Sequence, residues 1–277
     1  MSDASTLQGK TIFMSGGSRG IGLAIALRAA RDGANVAIMA KTAEPHPKLE
    51  GTVHTAAAEI EAAGGGALAI VGDIRDQDAV FAAVEQTVER FGGIDICVNN
   101  ASAISLAPVA DLDVKRYDLM LDINARGTFV VSKACLPHLK ASGNGHVLTL
   151  SPPIDLAPKW LGAHAGYTLS KYGMSILTLG LAEELKADGV AANTLWPRTI
   201  IATAAVQNLL GGDEAMARSR RPEIVADAAH AILVQDARTC TANAFIDDDV
   251  LREAGVTDLS GYGYGADDTE LAPDIFL

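Results

Sequence analysis

Met14-Ser15-Gly16-Gly17-Ser18-Arg19-Gly20-Ile21-Gly22 is entered from the apolar run Thr11-Ile12-Phe13 and left through Leu23-Ala24-Ile25-Ala26-Leu27-Arg28-Ala29-Ala30 at helical spacing. The pattern is strand, glycine turn, helix. Such a turn aims free amides and the positive end of a helix dipole at one point, where an anionic phosphate is favoured. Gly16 and Gly20 permit backbone angles that side chains resist, which lets the main chain approach a pyrophosphate; Gly22 lets the helix sit close to the sheet. The spacing G-x-x-x-G-x-G differs from the commoner dinucleotide fingerprint G-x-G-x-x-G. Three glycines also suit an ordinary tight turn. The flanking strand and helix favour a cofactor loop made of Gly16, Gly17, Ser18, Arg19, Gly20, Ile21 and Gly22.

Strand-like and helix-like segments alternate along the rest of the chain. Asn35–Ala40, Ala67–Val71, Ile94–Val98, His146–Leu150 and Val190–Leu195 read as short buried strands, and helical spacing recurs at Gly51–Ala63, Asp76–Phe91, Tyr117–Lys140 and Gly162–Lys186. Apolar strands joined by crossover helices predict a parallel sheet covered on both faces. The expected fold is α/β, a doubly wound three-layer (Rossmann) fold, as one domain over residues 1–277. Residues 258–277 differ: Gly261-Tyr262-Gly263-Tyr264-Gly265 is turn-rich, and Pro273-Asp274-Ile275-Phe276-Leu277 ends apolar. This tail is expected to be a surface loop with a docked end. The sharper reading has Ile275, Phe276 and Leu277 closing a pocket or a subunit contact.

With 277 residues, 49% of them hydrophobic, the chain can bury one sizeable core. A net charge of −12 without a basic stripe argues against nucleic acid. Cys97, Cys135 and Cys240 form no C-x-x-C and fit reduced, packed thiols in a cytoplasmic protein. The opening residues lack the apolar core of a secretory signal, no run is long enough to span a bilayer, and no histidine–carboxylate spacing suggests a metal.

At the end of the second strand of this fold a carboxylate holds the ribose 2′-hydroxyl of NAD, whereas a cation there accommodates the 2′-phosphate of NADP. This chain has Ala40-Lys41-Thr42 at that point and Arg19 in the glycine turn. Charge-assisted bonds of about 1.5–3 kcal/mol each discriminate strongly between the two nucleotides, so NADP(H) is the expected cofactor. Thr42, His46 and Lys48 could add contacts, with a solvated loop as the plainer role of His46 and Lys48. Asp73 can accept from the adenine amino group or cap the turn before Asp76. Asn99-Asn100-Ala101-Ser102 ends the fourth strand, where the backbone near Asn100 would face the nicotinamide ribose.

Tyr167-Thr168-Leu169-Ser170-Lys171 sets a phenol and an ammonium at i and i+4 on one helix face. A free tyrosine titrates near 10, and a nearby cation stabilises the phenolate. The pair then makes a competent acid or base for a carbonyl or alcohol oxygen. Lys171 can also bond the nicotinamide ribose. Tyr172 and His164 read as packing and second-layer residues.

These pieces together resemble the short-chain dehydrogenase/reductase family over essentially the whole chain. The matching residues are Ser15-Gly16-x-x-x-Gly20-Ile21-Gly22, Asp73, Asn99-Asn100-Ala101, Asn124 and Tyr167-x-x-x-Lys171. Several loops, among them Ala40–Lys48, Asn100–Ser105 and Ser151–Pro153, resemble one narrower branch of it. The resemblance implies a nicotinamide oxidoreductase acting on a carbonyl or secondary alcohol. Tyr167 would be the proton donor or acceptor, Lys171 its activator and ribose ligand, and Asn124 the holder of a water linking Lys171 to solvent. The family's substrate-orienting serine falls where this chain has Pro152, so Ser151 either reaches inward around Pro152-Pro153 or is a strand-end turn residue. Trp196-Pro197-Arg198 stands where Pro-Gly is usual. Ile154, Leu156, Trp160, Trp196 and the segment Thr199–Leu210 would surround the nicotinamide, which suggests a lipophilic substrate. A homodimer or homotetramer through the two long helices is the family-level expectation. The competing reading is a catalytically weak NADP(H)-binding regulator or scaffold on the same fold, motivated by Pro152 and Arg198.

Overall fold

Every residue of strand β1 (Thr11–Ser15) is buried, as a strand at the centre of a two-faced sheet must be. In the computed structural model, which describes residues 6–45, 50–265 and 270–277, β1 lies in a parallel sheet of order β3-β2-β1-β4-β5-β6-β7. The other strands are β2 (Asn35–Ala40), β3 (Gly66–Val71), β4 (Ile96–Asn99), β5 (His146–Leu150), β6 (Ala191–Trp196) and β7 (Ala244–Ile246). His46 and Lys48 lie outside the described residues. Alternation along the strands divides the core. Ile12 and Met14 face a cluster with Ile25, Ile224, Ala228 and Ile232 from α1 (Gly20–Ala30) and α10 (Glu223–Leu233). Phe13 faces the opposite cluster. There it meets Val80 and Val84 of α3 (Gln77–Phe91), Val131 and Leu139 of α5 (Gly127–Ala141) and Ala182 of α7 (Ala165–Glu184). The doubly wound three-layer fold is therefore the observed one.

The chain runs β1, β2, β3 outward on one side and then returns to place β4 on the other side of β1. Connections leaving β1 and β4 diverge, and the crevice between them is where such sheets take ligands. A cleft of about 980 Å³ opens there, lined in part by Gly16, Arg19, Gly20, Lys41, Asp73, Asn100 and Ser102.

Three features differ from the sequence expectation. The segment expected as one helix over Tyr117–Lys140 is α4 (Val114–Met120), a π-helical turn (Leu121–Arg126) and then α5. The helix expected from Gly162 breaks at His164 (φ −151°, ψ 59°), which separates α6 (Pro158–Ala163) from α7. Finally, α2 (Val53–Ala62) is followed much later by elements the strand pattern did not resolve: α8 (Ala204–Leu209), α9 (Gly212–Ala217), α11 (Asp247–Glu253) and β7. Each of those four is only three to seven residues long, too short to display a period. At 11 residues α10 is likewise absent from the sequence expectation, although its length would carry one.

Candidate active site

The glycine turn is held from β4. Gly16 has φ +76°, and a Cβ there would lie 2.8 Å from the Ala101 Cα, so the turn rests directly on the chain leaving β4. The Asn100 amide donates to the Gly16 carbonyl at 2.7 Å. A Cβ on Gly22 would sit 2.5 Å from that same amide nitrogen. Gly22 thus makes room for Asn100, where close helix–sheet packing was expected. Asn100 works through its side chain to shape the cradle, a role the sequence expectation had given to backbone. Arg19, the N-cap of α1, offers no side-chain acceptor to the helix, so the opening amides remain for an anion. Glycines with no room for a Cβ and an uncapped helix start suit a dinucleotide phosphate.

At the far end of the cleft, Arg19 donates through Nε to the Glu50 carbonyl (3.0 Å) and through NH2 to that of Gly51 (2.7 Å). Lys41 Nζ lies 3.2 Å from Asp73 Oδ2, with 60% of its side chain exposed. Asp73 is held more firmly by Arg75, whose NH2 reaches Oδ2 at 2.6 Å and whose Nε reaches both oxygens. That hydrogen bonding from Arg75 keeps the Asp73 carboxyl well below the usual carboxylate range. Asp73 also accepts from the Arg75 N–H at 3.0 Å, so it fixes the turn after β3 as well as lining the cleft.

Tyr167 and Lys171 share one face of α7, and both are buried, with 4% and 2% of their surface exposed. Lys171 Nζ donates to the Leu150 carbonyl at the end of β5 (2.6 Å) and lies 5.0 Å from the centroid of the Trp196 ring. Burial pushes its ammonium down to about 7, opposed by the negative charge of Asp274. Burial also raises the Tyr167 phenol well above its ordinary value; Asp274 adds to this, and a hydrogen bond from Ser102 opposes it. The activation expected from Lys171 is therefore not the dominant influence on this phenol. Burial wins.

The π-helical turn supplies Asn124, which is fully buried. Its side chain accepts from the Ala103 N–H (2.8 Å), donates to the Ala103 carbonyl (2.9 Å) and donates to Ser170 Oγ (2.9 Å). Asn124 thus ties the chain after β4 to α7, and its amide is spent on protein partners. Ser151 is fully buried and accepts from Ser175 Oγ at 3.0 Å, while Ser175 also reaches the Pro152 carbonyl at 2.6 Å. Of the two serines, Ser102 is the one on the cleft wall. The sequence signal for Ser102 is a hydroxyl three residues past the end of β4.

The tail covers this group. Phe276 is 1% exposed and stacks on Tyr167 (centroids 6.1 Å apart, planes 25°), with Tyr172 at 5.3 Å, Trp160 at 5.8 Å, and His164 and Trp196 at 6.0 Å. The Trp196 indole donates to the Ile275 carbonyl (2.9 Å), and the Asp274 N–H donates to the Arg198 carbonyl (2.9 Å). Arg198 is itself fixed by Asp248 and Asp249, each at 2.6 Å. The Trp196-Pro197-Arg198 departure is therefore the anchor of the tail. Tyr172, read from sequence as packing, also bonds the Asp155 carbonyl at 2.6 Å and so holds the long loop after β5.

Asp274 is half-buried beside these groups, and desolvation pushes it up to about 7. Between the ordinary carboxylate range and pH 7 the folded protein then holds a proton that the unfolded chain has lost, so this group makes stability fall as pH rises. Lys171 acts in the opposite direction from about 7 up to its model-compound value of 10.5. Asp274→Asn is expected to flatten the decline on the acid side, as measured by denaturant unfolding between pH 4 and 7. An unchanged decline would remove Asp274 from the account.

Sequence comparison gives the family of this fold and cleft: the short chain dehydrogenase profile matches residues 10–212. The chain belongs to that family. More narrowly, it is similar to hydroxysteroid dehydrogenase-like protein 2 of Danio rerio, at 53% identity over 277 residues, which is all of this chain but 66% of that protein. Among solved structures, a short chain dehydrogenase from Mycobacterium thermoresistibile is 62% identical with a TM-score of 0.93, covering 98% of this chain and 96% of that one. A metagenomic short-chain oxidoreductase in complex with NADP is 25% identical with a TM-score of 0.71, covering 87% and 97%.

Proposed function

We propose that this chain is an NADP(H)-dependent oxidoreductase that interconverts a carbonyl and a secondary alcohol on a lipophilic substrate. The observation that carries the reading is the buried pair Tyr167 and Lys171, one helical turn apart on α7, with Tyr167 in one apolar cluster with Ala103, next to the cleft-wall residue Ser102. The bound nicotinamide would supply or accept the hydride. The glycine turn, with Gly16, Gly17, Ser18, Gly20, Ile21 and Gly22, would hold its pyrophosphate, and Tyr167 would pass the proton to or from the substrate oxygen. Burial keeps this phenol protonated, the form a proton donor must start in, and a lower proton affinity once cofactor and substrate are bound would speed its transfer. Trp160, Trp196 and Phe276 give the surroundings of Tyr167 an apolar character, which favours a bulky, lipophilic ketone. Phe129, Leu169 and Ile176, each at least half exposed on α5 and α7, support a homodimer or homotetramer through those helices. Three buried free thiols fit a cytoplasmic setting.

For the nucleotide, Lys41 and Arg19 both line the cleft. An exposed Lys41–Asp73 pair is worth about 0–1 kcal/mol, less than the roughly 1.5–3 kcal/mol of a charge-assisted bond to phosphate. Asp73 keeps Arg75 if Lys41 turns away. Lys41→Ala is therefore expected to weaken NADPH by about tenfold or more and leave NADH nearly unchanged, as measured by cofactor fluorescence titration. Equal losses for both would refute the 2′-phosphate assignment.

A second reading, a weakly catalytic NADP(H)-binding regulator or scaffold, is favoured by the seal of Phe276 over Tyr167. It predicts tight NADPH binding with no oxidation across a panel of chemically diverse ketones and aldehydes. The oxidoreductase reading predicts turnover of at least one of them.

A further inference from the structure

We propose that Ser102 is the hydroxyl that holds the substrate oxygen beside Tyr167, the part assigned elsewhere in the family to a serine after β5. This rests on the oxidoreductase reading above and names the residue that completes its site. After β5 this chain has Pro152, which has no hydroxyl, and Ser151, whose Oγ is fully buried against Ser175. After β4, Ser102 is exposed on the wall of the cleft, and the next residue, Ala103, packs against the apolar cluster that contains Tyr167. Its remaining bond, to the Ala103 carbonyl, is long at 3.5 Å, so the hydroxyl is free to turn.

The position of Ser102 is built. Asn124 grips both the N–H and the carbonyl of the next residue, Ala103, at 2.8 and 2.9 Å. The same Asn124 amide donates to Ser170, and Ser170 donates to the Tyr167 carbonyl at 2.8 Å. On the other side, the Ala101 and Asn100 N–H groups approach Ser15 Oγ at 3.3 Å. One asparagine thereby sets the distance between the Ser102 loop and the helix turn that carries Tyr167. A hydroxyl on the cleft wall, one residue from the cluster that holds the buried acid, stands where a substrate oxygen beside Tyr167 would receive two hydrogen bonds. As hydride reaches the carbonyl carbon, the C=O π pair moves to oxygen and Tyr167 gives that oxygen its proton. Ser102 donates a hydrogen bond to the developing charge and keeps its own proton, so nothing further is consumed.

The test uses the whole chain, NADPH and 4-nitrobenzaldehyde or any other carbonyl of the panel that the wild type reduces. Ser102→Ala is expected to lower kcat/KM by about 10²-fold, the typical loss of one donor at a developing oxyanion. NADPH affinity by fluorescence should stay within about threefold, and Ser102→Thr should restore most of the rate. Ser151→Ala should cost at least tenfold less than Ser102→Ala. Independently of turnover, the protein labelled with 3-fluorotyrosine carries five tyrosines. The ¹⁹F resonance assigned to Tyr167 by its loss in Tyr167→Phe should move in Ser102→Ala, and the other four should not. An active wild type with Ser102→Ala unaffected, or with Ser151→Ala as the larger loss, overturns the role of Ser102 and spares the oxidoreductase reading. A wild type inert to every carbonyl of the panel overturns that reading and the Ser102 role with it.

Discussion

Tyr167→Phe is expected to abolish measurable carbonyl reduction while the protein keeps its fold and binds NADPH as before. General acid catalysis by one positioned group contributes about 10²–10⁴-fold, or about 2.7–5.5 kcal/mol of barrier. The substitution removes a single hydroxyl, and even a full neutral hydrogen bond adds only about 0.5–1.5 kcal/mol to stability. The ring itself stays, stacked on Phe276 at 6.1 Å. The effect on rate therefore exceeds the effect on folding by a wide margin, and the two separate cleanly. Single-turnover rates and NADPH fluorescence titration on the same preparation would measure both. Full activity in the variant would mean that Tyr167 is not the acid. Loss of NADPH binding together with activity would instead mean that the phenol holds the cofactor site in shape.

Much of this site was legible from local chemistry, because its parts are held by short-range rules. The strand–glycine–helix start is a steric statement about residues 11–30, and the i, i+4 placement of Tyr167 and Lys171 needs only a helix. The order of elements then forces β4 beside β1 and brings the cradle to the end of the sheet. What sequence reading missed depends on contacts between distant segments. Asn124 and Ala103 are 21 residues apart, Trp196 and Ile275 are 79 apart, and no periodicity links either pair. Gly22 looked like a helix-packing glycine because its neighbour, the amide of Asn100, comes from another strand. The balance of charges was misjudged for the same reason. An isolated Tyr–Lys pair suggests a lowered phenol, whereas here burial beneath Phe276 and the approach of Asp274 raise it. Cys97 and Cys135 give a milder case: read as separate packing residues, they lie in one buried cluster that joins β4 and α5.

Phe276→Ala is expected to loosen the C-terminal strap and to shift the preference of the enzyme toward bulkier carbonyl compounds. Tyr167 must come within hydrogen-bond reach of a substrate oxygen, yet its ring is 4% exposed and Phe276 lies stacked on it. A bulky substrate can reach the phenol only if that ring yields or if the substrate takes its place. Removing a fully buried phenylalanine from a core costs about 3–5 kcal/mol, but here the cost has a ceiling. The strap is joined to the body by few hydrogen bonds among the described residues: the Trp196 indole to the Ile275 carbonyl, the Asp274 N–H to the Arg198 carbonyl, the Ile200 N–H to the Ala272 carbonyl and the Ala272 N–H to the Arg218 carbonyl. Once the penalty exceeds the free energy of detaching residues 272–277, that segment opens locally and the remainder stays folded. The variant should therefore show a small change in Tm, while the Trp196 indole N–H exchanges with solvent much faster. In parallel, kcat/KM for bulky ketones should rise relative to small aldehydes. Phe276→Leu, which keeps most of the volume, should fall between the two on both measures. Wild-type exchange at Trp196 with an unchanged substrate profile would show that Phe276 is packing alone. Faster exchange without any change in size preference would place the route to Tyr167 on the Ser102 side of the cleft.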